Sequence, residues 1–134
     1  MLSVSDLRVE KFFTQIDERH PFKVGMDSCN VPGAIRFCKS ILPESLDTCE
    51  GGRYSCYIGP DMMMVPCSFD QQKRYEVSLK DMTIDEAWKS EPFEMFRDKM
   101  RKACPDCEKI ELCLGGCPLM PEIVFCDSEK RGVL

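Results

Sequence analysis

The chain has 134 residues, 43% hydrophobic and 31% charged, a balance that fits one folded domain and excludes a disordered chain. Its formal net charge of −5 argues against a general nucleic-acid binder, which needs cations to neutralise phosphates, and no stretch approaches the roughly 20 apolar residues that cross a bilayer. Ten cysteines are dense for this length. The start MLSVSDLRVEKFF has no secretory pattern, so a cytoplasmic protein is expected, in which such cysteines point to metal rather than disulfides.

Val9, Phe12, Phe13 and Ile16 form one apolar stripe and predict a helix over residues 5–19, stopped by His20-Pro21. Phe22, Val24 and Met26 alternate with Lys23 and Gly25, which predicts a short strand. Asp27-Ser28-Cys29-Asn30 is a polar turn. Pro32 opens a helix to about residue 42, with Ala34, Ile35, Cys38, Ile41 and Leu42 on one face. Helix, strand, helix reads as a piece of an α/β fold, here without a partner strand, as at the end of a larger domain.

From residue 49 to 79 the pattern favours strands. Tyr54, Cys56 and Ile58 share one face, Gly59-Pro60-Asp61 turns the chain, residues 63–67 return, and 75–79 add a further strand. Free cysteine is commonly a small core hydrophobe, so Cys38 and Cys56 are expected in the core. Thr83-Ile84-Asp85-Glu86 fits a capping box, with Ile84, Ala87 and Trp88 facing inward. Ser90 is placed to cap a second helix, with Phe93, Phe96 and Met100 on one face. Lys99, Arg101 and Lys102 occupy its last turn, where charge complements the helix dipole. Asp27 and Asp61 are the acid–base candidates, although loop aspartates ordinarily cap turns.

Cys104, Cys107, Cys113 and Cys117 then follow with the spacing C-x2-C-x5-C-x3-C. A C-x2-C turn aims two thiolates at one metal centre, and Gly115 and Gly116 let the backbone wrap closely. Cys117-Pro118 is similar to bacterial ferredoxin loops, in which the last cysteine of the run ligates a different cluster from the first three. Cys126 is available beyond it. A structural zinc loop using the same thiolates is the alternative.

At these residues the chain resembles the SPASM domain, the C-terminal auxiliary-cluster extension of radical S-adenosylmethionine (radical SAM) enzymes. Over residues 49–126, Cys49 and Cys67 match the first part of the family pattern, the Cys104–Cys117 run its middle, and Cys126 its close. Cys49-Glu50-Gly51-Gly52, Ile58-Gly59-Pro60-Asp61 and Val65-Pro66-Cys67-Ser68-Phe69 resemble the family's hairpin. The family's glycine ahead of the second cysteine is Met62 here. Because positive φ is costly for methionine, an ordinary φ is expected, made accessible by Pro60-Asp61.

The resemblance implies an α+β fold: a small cysteine-rich domain over residues 45–134, made of a β-hairpin, helices and metal-binding loops. A remnant helix–strand–helix of a radical SAM α/β barrel would precede it over residues 1–44. It also implies two 4Fe–4S clusters. Cys104, Cys107, Cys113 and Cys126 would hold one, and Cys49, Cys67 and Cys117 the other, whose fourth position stays open between Cys29, Cys38 and a free iron. Cys29 is the choice, since a turn just ahead of a helix N-terminus favours the thiolate. Zinc can occupy the same thiolates in protein prepared in air.

The function implied is that of the cluster-binding part of a peptide- or protein-modifying maturase, relaying electrons or binding substrate. Its partners would be the barrel, normally in the same chain, and a peptide or protein substrate, with no nucleic acid and no membrane. The catalytic motif C-x3-C-x2-C is absent, because Met120 stands where Cys113-x3-Cys117 needs its third cysteine. S-adenosylmethionine would therefore enter only through the barrel. The contrasting reading is a free-standing zinc or iron–sulfur module for interaction or electron transfer, without catalysis.

Overall fold

The computed structural model describes residues 6–18, 20–102 and 107–121, with backbone alone over 100–102. Helix α1 spans Leu7–Asp17, and its N-cap Asp6 accepts from the Arg8 N–H at 2.9 Å. It ends short of His20-Pro21, because Glu18 is already extended. Val9 and Phe13 of the stripe are buried, whereas Phe12 stays 51% exposed. Helix α2 spans Val31–Phe37 with Pro32 in its first turn. It does not reach residue 42: Cys38 is extended, and the Asp17 carboxylate accepts from the next two amides, Lys39 and Ser40, at 2.7 Å each. Gly33 lets α2 lie on α1, since a Cβ there would fall on the Phe13 ring.

The strand expected over 22–26 does not form. Met26 makes a single parallel bridge to Leu46, just after a 3-10 turn at Pro43–Ser45, and Phe22 is 64% exposed. Alternation made the segment competent for a strand, but a strand needs a ladder. Here the contacts are confined to Met26, whose N–H donates to Ser45 O and whose carbonyl accepts from Asp47 N–H, both at 3.1 Å. The described part of residues 1–44 is therefore two helices and a loop, not helix–strand–helix.

Strands β1 (Tyr57–Ile58), β2 (Met63–Val65) and β3 (Val77–Ser78) form an antiparallel sheet in the order β1-β2-β3. Tyr57 pairs with Val65, and Met64 pairs with both Ile58 and Val77. The strands are shorter than expected. Before β1 the chain coils: the N–H groups of Arg53, Tyr54 and Ser55 all converge on Glu50 O. That coil removes Cys56 from any strand face and leaves it exposed, so it is not a core residue.

Met62 also departs from expectation, with φ 64°. Gly59 N–H donates to Met63 O at 2.8 Å and Met62 N–H to Gly59 O at 3.1 Å. A three-residue loop closed this way is a tight turn followed by a left-handed residue, the bulge that lets the strands resume pairing. Hairpin geometry sets this φ, and the side chain accommodates it.

Helix α3 (Ile84–Trp88) carries the expected capping box, with Glu86 N–H donating to Thr83 Oγ1 and Thr83 N–H to Glu86 Oε2. Ala87 faces the core, while Ile84 is 56% exposed. Helix α4 spans Glu91–Lys102. Ser90 does not cap it through its side chain: the hydroxyl donates backward to Ala87 O at 2.6 Å. Helix α5 is the short Ile110–Cys113. Among the described residues no helix is long and apolar enough to cross a membrane.

The apolar residues gather in three small clusters. Val9, Phe13, Met26, Val31, Ala34 and Leu46 join α1 to α2, and Cys38 and Leu112 pack against them. Met64, Val77, Ala87 and Phe93 set α3 and α4 on the sheet. Tyr75, Phe96, Leu114 and Leu119 form the third, against which Cys49, Cys67, Cys117 and Met120 pack.

Candidate metal centre

Four loops deliver the thiols. Cys29 lies in the turn ahead of α2, where Asn30 N–H donates to Asp27 O at 2.9 Å. Cys49 precedes the coil at Glu50, and Cys67 follows β2. Cys117 follows α5, beyond Leu114, Gly115 and Gly116, whose φ values are 54°, 77° and 90°. Three successive left-handed residues reverse the chain, and the two glycines adopt that geometry without steric cost.

These cysteines meet. Cys29, Cys49, Cys67, Cys113 and Cys117 line one narrow cavity of about 30 Å³, walled by Pro32, Phe69, Phe96, Leu112 and Met120. Each described cysteine is a free thiol. Burial, then the charges of Cys117, Asp27, Cys49 and Cys67, pushes the Cys29 thiol up to about 11. The expected thiolate-favouring turn is thus overridden by desolvation and by neighbouring negative charge. Burial also raises Cys49, against the Gly51 N–H and the Arg53 charge. Cys67 is raised first by burial and then by Cys117 and Asp70, against the Phe69 N–H. Cys38 stands apart from this group: its sulfur donates to Phe13 O at 3.4 Å, and it packs on the α1–α2 cluster, as expected of a structural cysteine.

Partly buried thiols held neutral beside apolar side chains are poor nucleophiles. They are good soft ligands for a cation, whose charge removes their protons outright. Among the described residues, no three Cys, His, Asp or Glu side chains are grouped as a site for one metal ion. The fit to a metal group rests on this donor set and not on open volume.

Beside the cavity runs an open groove of about 610 Å³. It shares Ser28, Cys29, Cys49, Cys67 and Phe69 with the cavity and adds Asp27, Asp47, Glu50, Cys56 and Tyr57. Asp27 accepts from Asn30 Nδ2 at 2.9 Å and Asp61 from Met63 N–H at 3.2 Å, both in turn-forming roles. Of the second expected ligand set, Cys107 and Cys113 are described and both are partly buried. Cys104 and Cys126 lie outside the described residues. Spacing alone groups Cys113 with that set and carries no sign of its place on the Cys117 cavity. The Gly51 and Phe69 amides also face the sulfurs of Cys49 and Cys67, each two residues past its cysteine, a signal present in Cys49-Glu50-Gly51 and Cys67-Ser68-Phe69.

The fold and its thiol-lined cavity define a cysteine-rich α+β domain. Residues 49–109 match the family model SPASM, described as an iron-sulfur cluster-binding domain. Neither the curated proteins nor the solved structures contain a match to the chain.

Proposed function

We propose that this chain is the auxiliary-cluster part of a radical SAM maturase acting on a peptide or protein. In this reading Cys29, Cys49, Cys67 and Cys117 hold one 4Fe–4S cluster, and Cys104, Cys107, Cys113 and Cys126 hold a second. One observation carries it: Cys29, Cys49, Cys67 and Cys117 line a single cavity, and Cys49 and Cys67 of these fall within the SPASM match. When bound, such clusters supply one-electron transfer or an open iron for substrate. Phe96, Leu112 and Met120 form the apolar wall beside the sulfurs, and Arg53, whose Nη1 donates to Cys49 O at 3.2 Å, adds positive charge beside them. The groove past Tyr57 and Phe69 leads a peptide to the same cysteines.

The required partner is a radical SAM barrel, in the same polypeptide or a separate one, because the sequence holds no C-x3-C-x2-C motif. Residues 1–44 are the part we assign to that barrel's edge, and the cytoplasm is the compartment the chemistry suits.

Anaerobic reconstitution with iron and sulfide tests the proposal. The chain should take up about eight irons with matching sulfide, four per cluster. Cys107→Ala should lose about half, and Cys56→Ala, on the exposed groove wall, should keep the full load. Uptake of two zinc ions and no iron under these conditions would overturn the cluster reading and favour the free-standing zinc module.

A further inference from the structure

Tyr75 is 2% exposed, and its hydroxyl has no hydrogen-bond partner among the described residues. A buried unpaired donor is unfavourable and calls for an acceptor. The ring has little freedom to carry that hydroxyl to solvent. Tyr75 N–H donates to Asp70 Oδ2 at 2.8 Å, and Asp70 N–H in turn donates to Cys67 O at 3.0 Å, which ties the tyrosine to a cysteine-bearing loop. The edge of Phe96 packs on the ring at 5.2 Å, and Lys99 Nζ sits 5.6 Å from its centroid.

The cluster around Tyr75 consists of Phe96, Leu114 and Leu119, with Cys49, Cys67, Cys117 and Met120 packed against it. These side chains offer no oxygen or nitrogen acceptor. A phenylalanine would satisfy the packing equally well, so packing alone does not account for the hydroxyl. The acceptors these side chains do offer are sulfurs.

We infer that the Tyr75 hydroxyl donates a hydrogen bond to a sulfur of the iron–sulfur group held by Cys49, Cys67 and Cys117. This rests on the function proposed above. Sulfur at such a centre becomes more negative on reduction, so a donor stabilises the reduced state more than the oxidised one and raises the potential. Tyr75 is a positioning residue that tunes the centre; it neither ligates iron nor touches substrate.

The test compares the full reconstituted chain with Tyr75→Phe by iron and sulfide analysis, redox titration followed by electron paramagnetic resonance, and detection of exchangeable protons coupled to the reduced centre. The variant should keep its iron, shift one of the two reductions to a more negative potential, and lose one coupled proton. Equal iron with unchanged potentials and couplings would overturn the inference and leave a buried water as the hydroxyl's partner. Should Tyr75→Phe fail to hold iron, 3,5-difluorotyrosine at position 75 decides. It keeps the ring and strengthens the donor, so the potential must move in the positive direction, and no movement refutes the bond. Wild type that takes up no iron would remove the cluster reading itself, an outcome separate from loaded protein whose potentials do not respond.

Discussion

At Met62 the chain holds φ 64° with a side chain that is 49% exposed, so little packing offsets the strain. A left-handed residue other than glycine costs about 1–2 kcal/mol, while glycine loses about 0.4–1 kcal/mol more chain entropy on folding. Met62→Gly should therefore stabilise the protein by about 0.5–1 kcal/mol, read as a higher urea midpoint at fixed metal content. A lower midpoint would refute the left-handed assignment. Asp17 is the other residue whose role extends beyond its own position. Burial would raise its carboxyl, but the N–H groups of Lys39, Ser40 and Ile41 and the Lys39 charge outweigh it and hold the group below the usual carboxylate range. A folded value below the unfolded one gives stability that is present above about pH 3.9 and lost as pH falls through the folded value. Asp17→Asn should be less stable than wild type near neutrality, with the gap closing in acid; a gap constant with pH would mean that the charge contributes nothing.

Among elements, α1 and α2 depend on a close approach that one glycine permits. The Phe13 ring occupies the space a Cβ at Gly33 would need and is itself stacked on Phe37 at 5.8 Å. The ring is buried and cannot swing away cheaply, so Gly33→Ala should cost about 1–3 kcal/mol by overpacking. An unchanged unfolding midpoint would show that the helices can part. Helix α4 works differently, as a connector. Phe93 packs on the sheet cluster and Phe96 on the cysteine cluster, three residues apart on one helical face. Arg97 ties the same helix to the Gly52 carbonyl and the Trp88 carbonyl, both at 2.8 Å. Helix α5 joins the remaining pair: Leu112 touches the α1–α2 cluster, and Leu114 just beyond the helix belongs to the cysteine cluster.

Over the whole molecule, the apolar residues are split among three small clusters, each too small to supply a large core's stability. The cysteine cluster is the one in contact with the thiols, so metal binding should be coupled to folding there. Loading iron and sulfide should raise the thermal midpoint of the chain, since a ligand bound only by the folded state adds to its stability. Cys117→Ala, which removes a thiol from the shared cavity, should reduce that gain. Equal midpoints with and without metal would show that the loops are ordered without it.

Local chemistry was legible in the residues alone wherever neighbours along the chain decide the outcome. Thr83 and Glu86 specify a cap three residues apart, Gly59-Pro60-Asp61 specifies a turn, and the cysteine spacing specifies a soft-metal domain that the SPASM match over 49–109 bears out. Outcomes set by distant contacts were not. Residues 22–26 alternate like a strand but find a single bridge at Met26, because ladder partners come from elsewhere in the chain. Cys56 looked apolar in pattern, yet the coil on Glu50 turns it out to the groove. The meeting of Cys29 with Cys49, Cys67 and Cys117 is a tertiary event: thiols nearly ninety positions apart come together because the turn ahead of α2, the hairpin and the left-handed run after α5 border one cavity. The raised proton affinity of Cys29, Cys49 and Cys67 follows from that burial, since desolvation belongs to the folded surroundings and not to the order of residues.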